Sequence, residues 1–161
     1  MFVSFPYSTD QKVAYEQLAE QLDALLSGES NTYANLSNAA ALLNQFLERI
    51  NWVGFYLRDG DELVLGPFQG LPACVRIPLG KGVCGTAAAQ KETILVPDVH
   101  AFPGHIACDA ASRSEIVVPI LKNGKLLGVL DIDSPELDRF SAVDQEGLEH
   151  VVHTLVAHLD N

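Results

Sequence analysis

EIVVPILKNGKLLGVLDID, residues Glu115 to Asp133, is the stretch whose reading decides the fold. Asn123-Gly124 stands between two apolar runs, the signature of a two-residue turn joining antiparallel strands. Outward from this hairpin the chain keeps the same character. WVGFYL (52–57), ELVLGPF (62–68), CVRIPL (74–79) and TILV (93–96) read as further strands separated by turn residues. Helical spacing takes over at the two ends. Ser8 to Gln11 has the spacing of a capping box, and a helix is expected from there to Ser27-Gly28. A second helix fits Tyr33 to Arg49, and a third runs from Ser141 to Leu159 with Leu148, Val151, Val152, Leu155 and Leu159 on one face. A short Ala-rich helix, Thr86 to Gln90, interrupts the strands. Antiparallel strands between terminal helices predict an α+β sandwich, and no repeat or linker divides residues 1–161, so a single domain is expected.

The composition narrows the function. A net charge of −11, with only 10 Lys and Arg spread along the chain, argues against nucleic acid and against an anionic membrane surface. No apolar run approaches the ~20 residues that span a bilayer. MFVSFPYSTDQKV lacks the basic and apolar segments of a secretion signal, so a cytoplasmic location is expected. The 3 cysteines, Cys74, Cys84 and Cys108, are an odd number for a disulfide framework and should rest as thiols unless chemistry oxidises them.

Three clusters could carry chemistry. Gly80-Lys81-Gly82-Val83-Cys84-Gly85 is a literal G-x-G-x-x-G, with Asp98 placed where a ribose-binding acid would sit. Only residues 86–92 separate it from the next strand, too few for a parallel crossover, so the glycines are read as shaping a turn into a helix. His100 and His105 near Cys108, and His150, His153 and His158 on the last helix, lack any zinc spacing, so no metal is expected. Asp131 and Asp133 alternate on one strand and therefore share a face. Counting back from the turn pairs Glu115 with Ile132, which would put Glu115 on the opposite face. A one-residue bulge would bring the three carboxylates together, and Pro119, which cannot donate to the ladder, is the expected place for it.

NWVGFYL, LVLGPFQG, ACVRIP, GKGVCG, DVHAFPGHIACDAASRSEIVVP and GVLDIDS together resemble the free methionine-(R)-sulfoxide reductases of the GAF superfamily, over roughly Asn51 to Ser134. The resemblance implies a single GAF domain with a central antiparallel sheet of about six strands. It implies reduction of free methionine-(R)-sulfoxide with Cys108 as nucleophile, a sulfenic acid on Cys108, and Cys74 as the resolving residue of a disulfide that thioredoxin reduces. The residues alone nominate Cys84 instead, because it sits at a helix start where the dipole lowers a thiol pKa. Which of Cys74 and Cys84 resolves is open at this point. Glu115, Asp131 and Asp133 would bind the substrate ammonium, one of them donating a proton to the sulfoxide oxygen, and Trp52 would wall the thioether end. The 105–113 loop, with Ser112 or Arg113, would meet the substrate carboxylate. No cofactor is implied, and a homodimer through the terminal helices is in keeping with GAF domains. The competing reading is a non-catalytic GAF sensory module that binds a small ligand such as a cyclic nucleotide.

Overall fold

The chain runs α1 (Gln11–Leu26), α2 (Thr32–Phe46), β1 (Trp52–Asp59), β2 (Glu62–Gly70), β3 (Arg76–Pro78), α3 (Gly82–Gln90), β4 (Ile94–Val96), a 3-10 turn (Val99–Ala101), β5 (Ser114–Lys122), β6 (Lys125–Ser134) and α4 (Ala142–Val156). This is a computed structural model describing residues 2–160 apart from Phe5 and Ala107. The six strands form one sheet in the order β3-β2-β1-β6-β5-β4, with antiparallel neighbours throughout. The expected hairpin closes on Asn123 and Gly124, both at positive φ (53° and 77°), as a type I′ turn requires.

Alternation along each strand divides the sheet between two cores. Val53, Phe55, Ile116, Val118, Ile120, Leu130 and Ile132 pack under the three long helices α1, α2 and α4. Trp52, Tyr56, Val117 and Val129 face the other way, with Val83, Cys84, Ala87 and Ala88 of α3. The long helices thus back the sheet, and the short helix and its flanking loops roof the opposite face.

Local boundaries differ from the sequence reading where side chains compete for the cap. Asp10 rather than Ser8 caps α1, accepting from Val13 N, while the Ser8 hydroxyl accepts from Asp10 N. Helix α2 stops at Phe46 because Leu47 turns extended and Arg49 adopts a φ of 58°. Strand β3 begins at Arg76, leaving Cys74 in the preceding loop. Helix α3 starts at Gly82, four residues before the Ala-rich run. Gly85 is there for space, since a Cβ on it would sit 2.4 Å from the Pro78 carbonyl oxygen. With the whole sheet antiparallel, the G-x-G-x-x-G has no βαβ unit around it, and Asp98 caps the 3-10 turn through His100 N. The reading of α4 holds, with Ser141 and Asp144 forming a capping box and Asp144 also accepting from Tyr15 Oη at 2.6 Å.

The expected bulge exists, but between Ile120 and Leu121 and on the partner strand. Lys122 pairs with Lys125 and Leu121 with Leu126, but Ile120 pairs with Gly128, so Leu127 is the extra residue on β6. Pro119 itself pairs regularly with Val129, and Glu115 lies opposite Asp133. Leu127 sits beside the helix-side core while Leu126 belongs to the other. Deleting Leu127 therefore leaves every other pair in place: Leu126 and Gly128 become consecutive, as Leu121 and Ile120 already are. The Leu127 deletion is expected to lower stability by only about 1 kcal/mol, the worth of a half-buried leucine, measured by urea unfolding. Collapse of the fold or loss of the Glu115–Asp133 pairing would refute this account of the register.

Candidate active site

Glu115 from β5 and Asp131 and Asp133 from β6 project from the sheet face beneath α3, beside Trp52 and Tyr56 of β1. Asp133 pairs across the ladders with both Trp52 and Glu115, and Asp131 with Gly54 and Val117. All three carboxyls are buried, at 6 %, 6 % and 9 % exposure. Among the described residues, every Lys or Arg salt bridge lies elsewhere, on Arg49, Arg76 and Arg139. Burial, then the charges of both aspartates, hold the Glu115 proton far above the ordinary carboxylate range. Burial and the neighbouring Asp131 do the same to Asp133. Burial also raises Asp131, although hydrogen bonds from Glu115 and Cys84 pull it partly back. One Asp131 oxygen, Oδ1, is buried without any hydrogen-bond partner. An orphaned carboxylate oxygen in a pocket wall is a seat for a donor from a ligand.

Helix α3 places Cys84 over this cluster, with its Sγ donating to Glu115 Oε2 at 3.9 Å. The expectation that the helix dipole lowers this thiol is overturned. Burial first, and then the three carboxyls, push its pKa well above the usual thiol value. A helix N-terminus offers at most ~2 kcal/mol, and desolvation beside three acids outweighs it. Cys84 is therefore a protonated, buried thiol. Cys84, Glu115 and Asp131 hold their ligand atoms within 4.8 Å of one another, close enough to share a cation.

The other two cysteines are joined. Cys74 and Cys108 form a disulfide with Cα atoms 5.5 Å apart, so Cys74, not Cys84, partners Cys108. Cys108 lines a cavity with Trp52, Cys84, Glu115, Asp131 and Asp133. In this disulfide-closed form the enclosed space is about 30 Å³, room for about one or two waters.

Asn51, which the sequence reading missed, holds the Cys108 loop in place. Asn51, just before β1, donates through Nδ2 to Asp109 Oδ2 at 2.9 Å and to Ser112 Oγ at 3.1 Å. Its backbone N–H meets the Asp133 carbonyl, also at 2.9 Å, so the loop is tied to the acidic strand. A polar residue immediately ahead of an apolar strand was the available signal. Ser112 lines the cavity, whereas Arg113 does not, and the cation that does is Lys81. Ala107 of the expected carboxylate-binding loop lies outside the described residues. Trp52 both walls the cavity and belongs to the core, stacked on Phe68 with centroids 5.1 Å apart. The histidines take other roles, His158 pairing with Asp23 at 2.7 Å and His100 contacting His105 edge-on.

The model of the GAF domain family matches residues 33–159 of the chain. The free methionine-R-sulfoxide reductase of Escherichia coli (strain K12) is 53% identical over 141 residues, covering 88% of this chain and 86% of that protein. The reductase of the same name from Saccharomyces cerevisiae is 48% identical, covering 91% of this chain and 86% of that one. The X-ray structure of free methionine-R-sulfoxide reductase from Neisseria meningitidis, in complex with its substrate, superposes with a TM-score of 0.93. It is 44% identical, covering 98% of this chain and 95% of that chain.

The folded state keeps protons on the three carboxyls that the unfolded chain releases above about pH 4. Stability must fall as pH rises from there through the raised folded values. Replacing Asp133→Asn removes one such proton demand. The variant is expected to melt above wild type at about pH 8, by a margin that shrinks toward about pH 4. A variant that melts lower than wild type at the alkaline end would contradict the assignment.

Proposed function

The chain belongs to the GAF domain family and, within it, to the free methionine-R-sulfoxide reductases, and from that premise we propose that it reduces free methionine-(R)-sulfoxide by thiol chemistry at Cys108. The observation that carries the proposal is the buried carboxyl cluster, with its orphaned Asp131 oxygen, set against one sulfur of a cysteine pair.

A free amino acid brings an ammonium group, which methionine inside a polypeptide lacks. That cation supplies the charge the pocket is missing. It seats on Asp131 Oδ1 and ionises that one carboxyl on arrival, a charge-assisted contact in a low-dielectric site. Trp52 takes the methyl-thioether end through sulfur–aromatic contact. Lys81 lines the same cavity, as do Gly82 and Val83 at the start of α3, and this end suits the substrate carboxylate.

Cys108 attacks the sulfoxide sulfur as a thiolate. Glu115, whose proton is held by burial and by both aspartates, donates to the sulfoxide oxygen as the S–O bond weakens. Methionine leaves, and the oxygen remains on Cys108 as a sulfenic acid. Cys74 then attacks the Cys108 sulfur and expels that oxygen as water, leaving the disulfide. A thioredoxin dithiol returns two electrons and opens the bond. Cys84 attacks nothing in this sequence. Its protonated thiol orients the carboxyls, which a serine hydroxyl can also do.

Thioredoxin-coupled NADPH consumption with free methionine-(R)-sulfoxide tests the scheme. Cys108→Ser is expected to abolish turnover. Cys74→Ser is expected to give one methionine per chain and then stop, and Cys84→Ser to retain at least about a tenth of the rate. Glu115→Gln should lose about 10²–10⁴-fold, the usual worth of a positioned general acid. A wild-type protein with no turnover would favour the ligand-binding module instead.

A further inference from the structure

The two sulfurs of the disulfide face different surroundings. Cys108 lines the acidic cavity, with Asp109 beside it and Glu115, Asp131 and Asp133 behind. Cys74 is not among the cavity-lining residues and sits on the segment between β2 and β3. There Leu71 is 64% exposed and Val75 62% exposed, with Pro72 also in solvent. The backbone beneath them is fixed, because Trp52 Nε1 donates to the Leu71 carbonyl at 3.1 Å and Tyr56 Oη to the Cys74 carbonyl at 2.9 Å. Ile106, 37% exposed, lines the cavity together with Cys108. Single exposed apolar residues are ordinary. A rigid segment that presents two of them on either side of a redox-active sulfur is a contact surface. Cys84, buried at 5% exposure, is out of reach of any external protein.

We infer that Leu71, Pro72 and Val75 are the docking surface for the recycling reductant, a dithiol protein of the thioredoxin class, and that its thiolate attacks Cys74 Sγ rather than Cys108 Sγ. This rests on the proposed catalytic cycle and adds the direction of its last step. The choice of sulfur follows from access. An incoming thiolate directed at Cys108 would have to enter a cavity of about 30 Å³, whereas Cys74 sits on the segment whose Leu71, Pro72 and Val75 are exposed. Attack at Cys74 forms a bond between the reductant sulfur and Cys74 Sγ and breaks the Cys74–Cys108 bond. Cys108 departs as a thiolate into the cavity, already the nucleophile for the next substrate. The reductant's second thiolate then attacks its own partner sulfur in the mixed disulfide. It closes the reductant disulfide and releases Cys74 as a thiolate that takes a proton from water. Two electrons pass to this chain, and no atom is left unbalanced.

The oxidised full-length protein, mixed with a thioredoxin whose second active-site cysteine is serine, halts at the mixed disulfide. Peptide mass mapping is expected to find thioredoxin on the Cys74 peptide, with Cys108 free to alkylate. An adduct on Cys108, or no adduct while dithiothreitol still reduces the bond, would overturn the inference. Leu71→Asp with Val75→Asp is expected to raise the thioredoxin KM by at least about tenfold. Methionine formation driven by dithiothreitol should be unchanged. An unaltered thioredoxin KM would also overturn it. Wild-type methionine formation with dithiothreitol reads the catalytic proposal separately, so its failure would leave the mapped adduct standing.

Discussion

Three carboxyl groups buried on one sheet face, with no salt bridge among the described residues to balance them, are the constraint on which the rest of this molecule depends. A carboxylate transferred from water without a partner is too costly to stay ionised, so the cluster keeps protons and shares hydrogen bonds. Its surroundings follow from that. Cys84 can be only a protonated thiol there. Asp131 retains an oxygen with nothing to accept from, and the cavity is electrically incomplete until a positive group enters. The helices α1, α2 and α4 bury the other face of the same strands, so the stability lost at the acids is offset across a sheet one residue thick.

Much of this was legible in the residues. Asn123-Gly124 placed the hairpin, and the turn count showed that Glu115 could join the aspartates only through a bulge. The bulge is there, but at Leu127 rather than Pro119. A proline needs only a ladder position free of donation, whereas the extra residue went to the strand whose Gly128 permits close approach to Tyr56. Cys84 was misjudged, since a helix start is visible in sequence and the three carboxyls packed against it are not. Asn51 and Lys81 were missed for the same reason: their importance lies in what the fold brings to them from 58 residues away, as with Asp109 and Asn51, or across the cavity. The pairing of Cys74 with Cys108 spans 34 residues and came from family resemblance, not from spacing.

The division of labour among the cysteines is physical. The thiol nearest the acids is the least able to ionise, and the two sulfurs joined in the disulfide come from segments outside the strands. On the proposed cycle, reduction of the Cys74–Cys108 bond comes before substrate entry, in keeping with a cavity of only about 30 Å³ beside the disulfide.

The central claim is that the carboxyl cluster reads the substrate's ammonium group. The most direct measurement compares kcat/KM for free methionine-(R)-sulfoxide with that for its N-acetyl derivative, which lacks that charge. Loss of a charge-assisted contact in a buried site predicts a drop of at least about 10²-fold for the acetylated compound. Equal kcat/KM for the two would contradict the account.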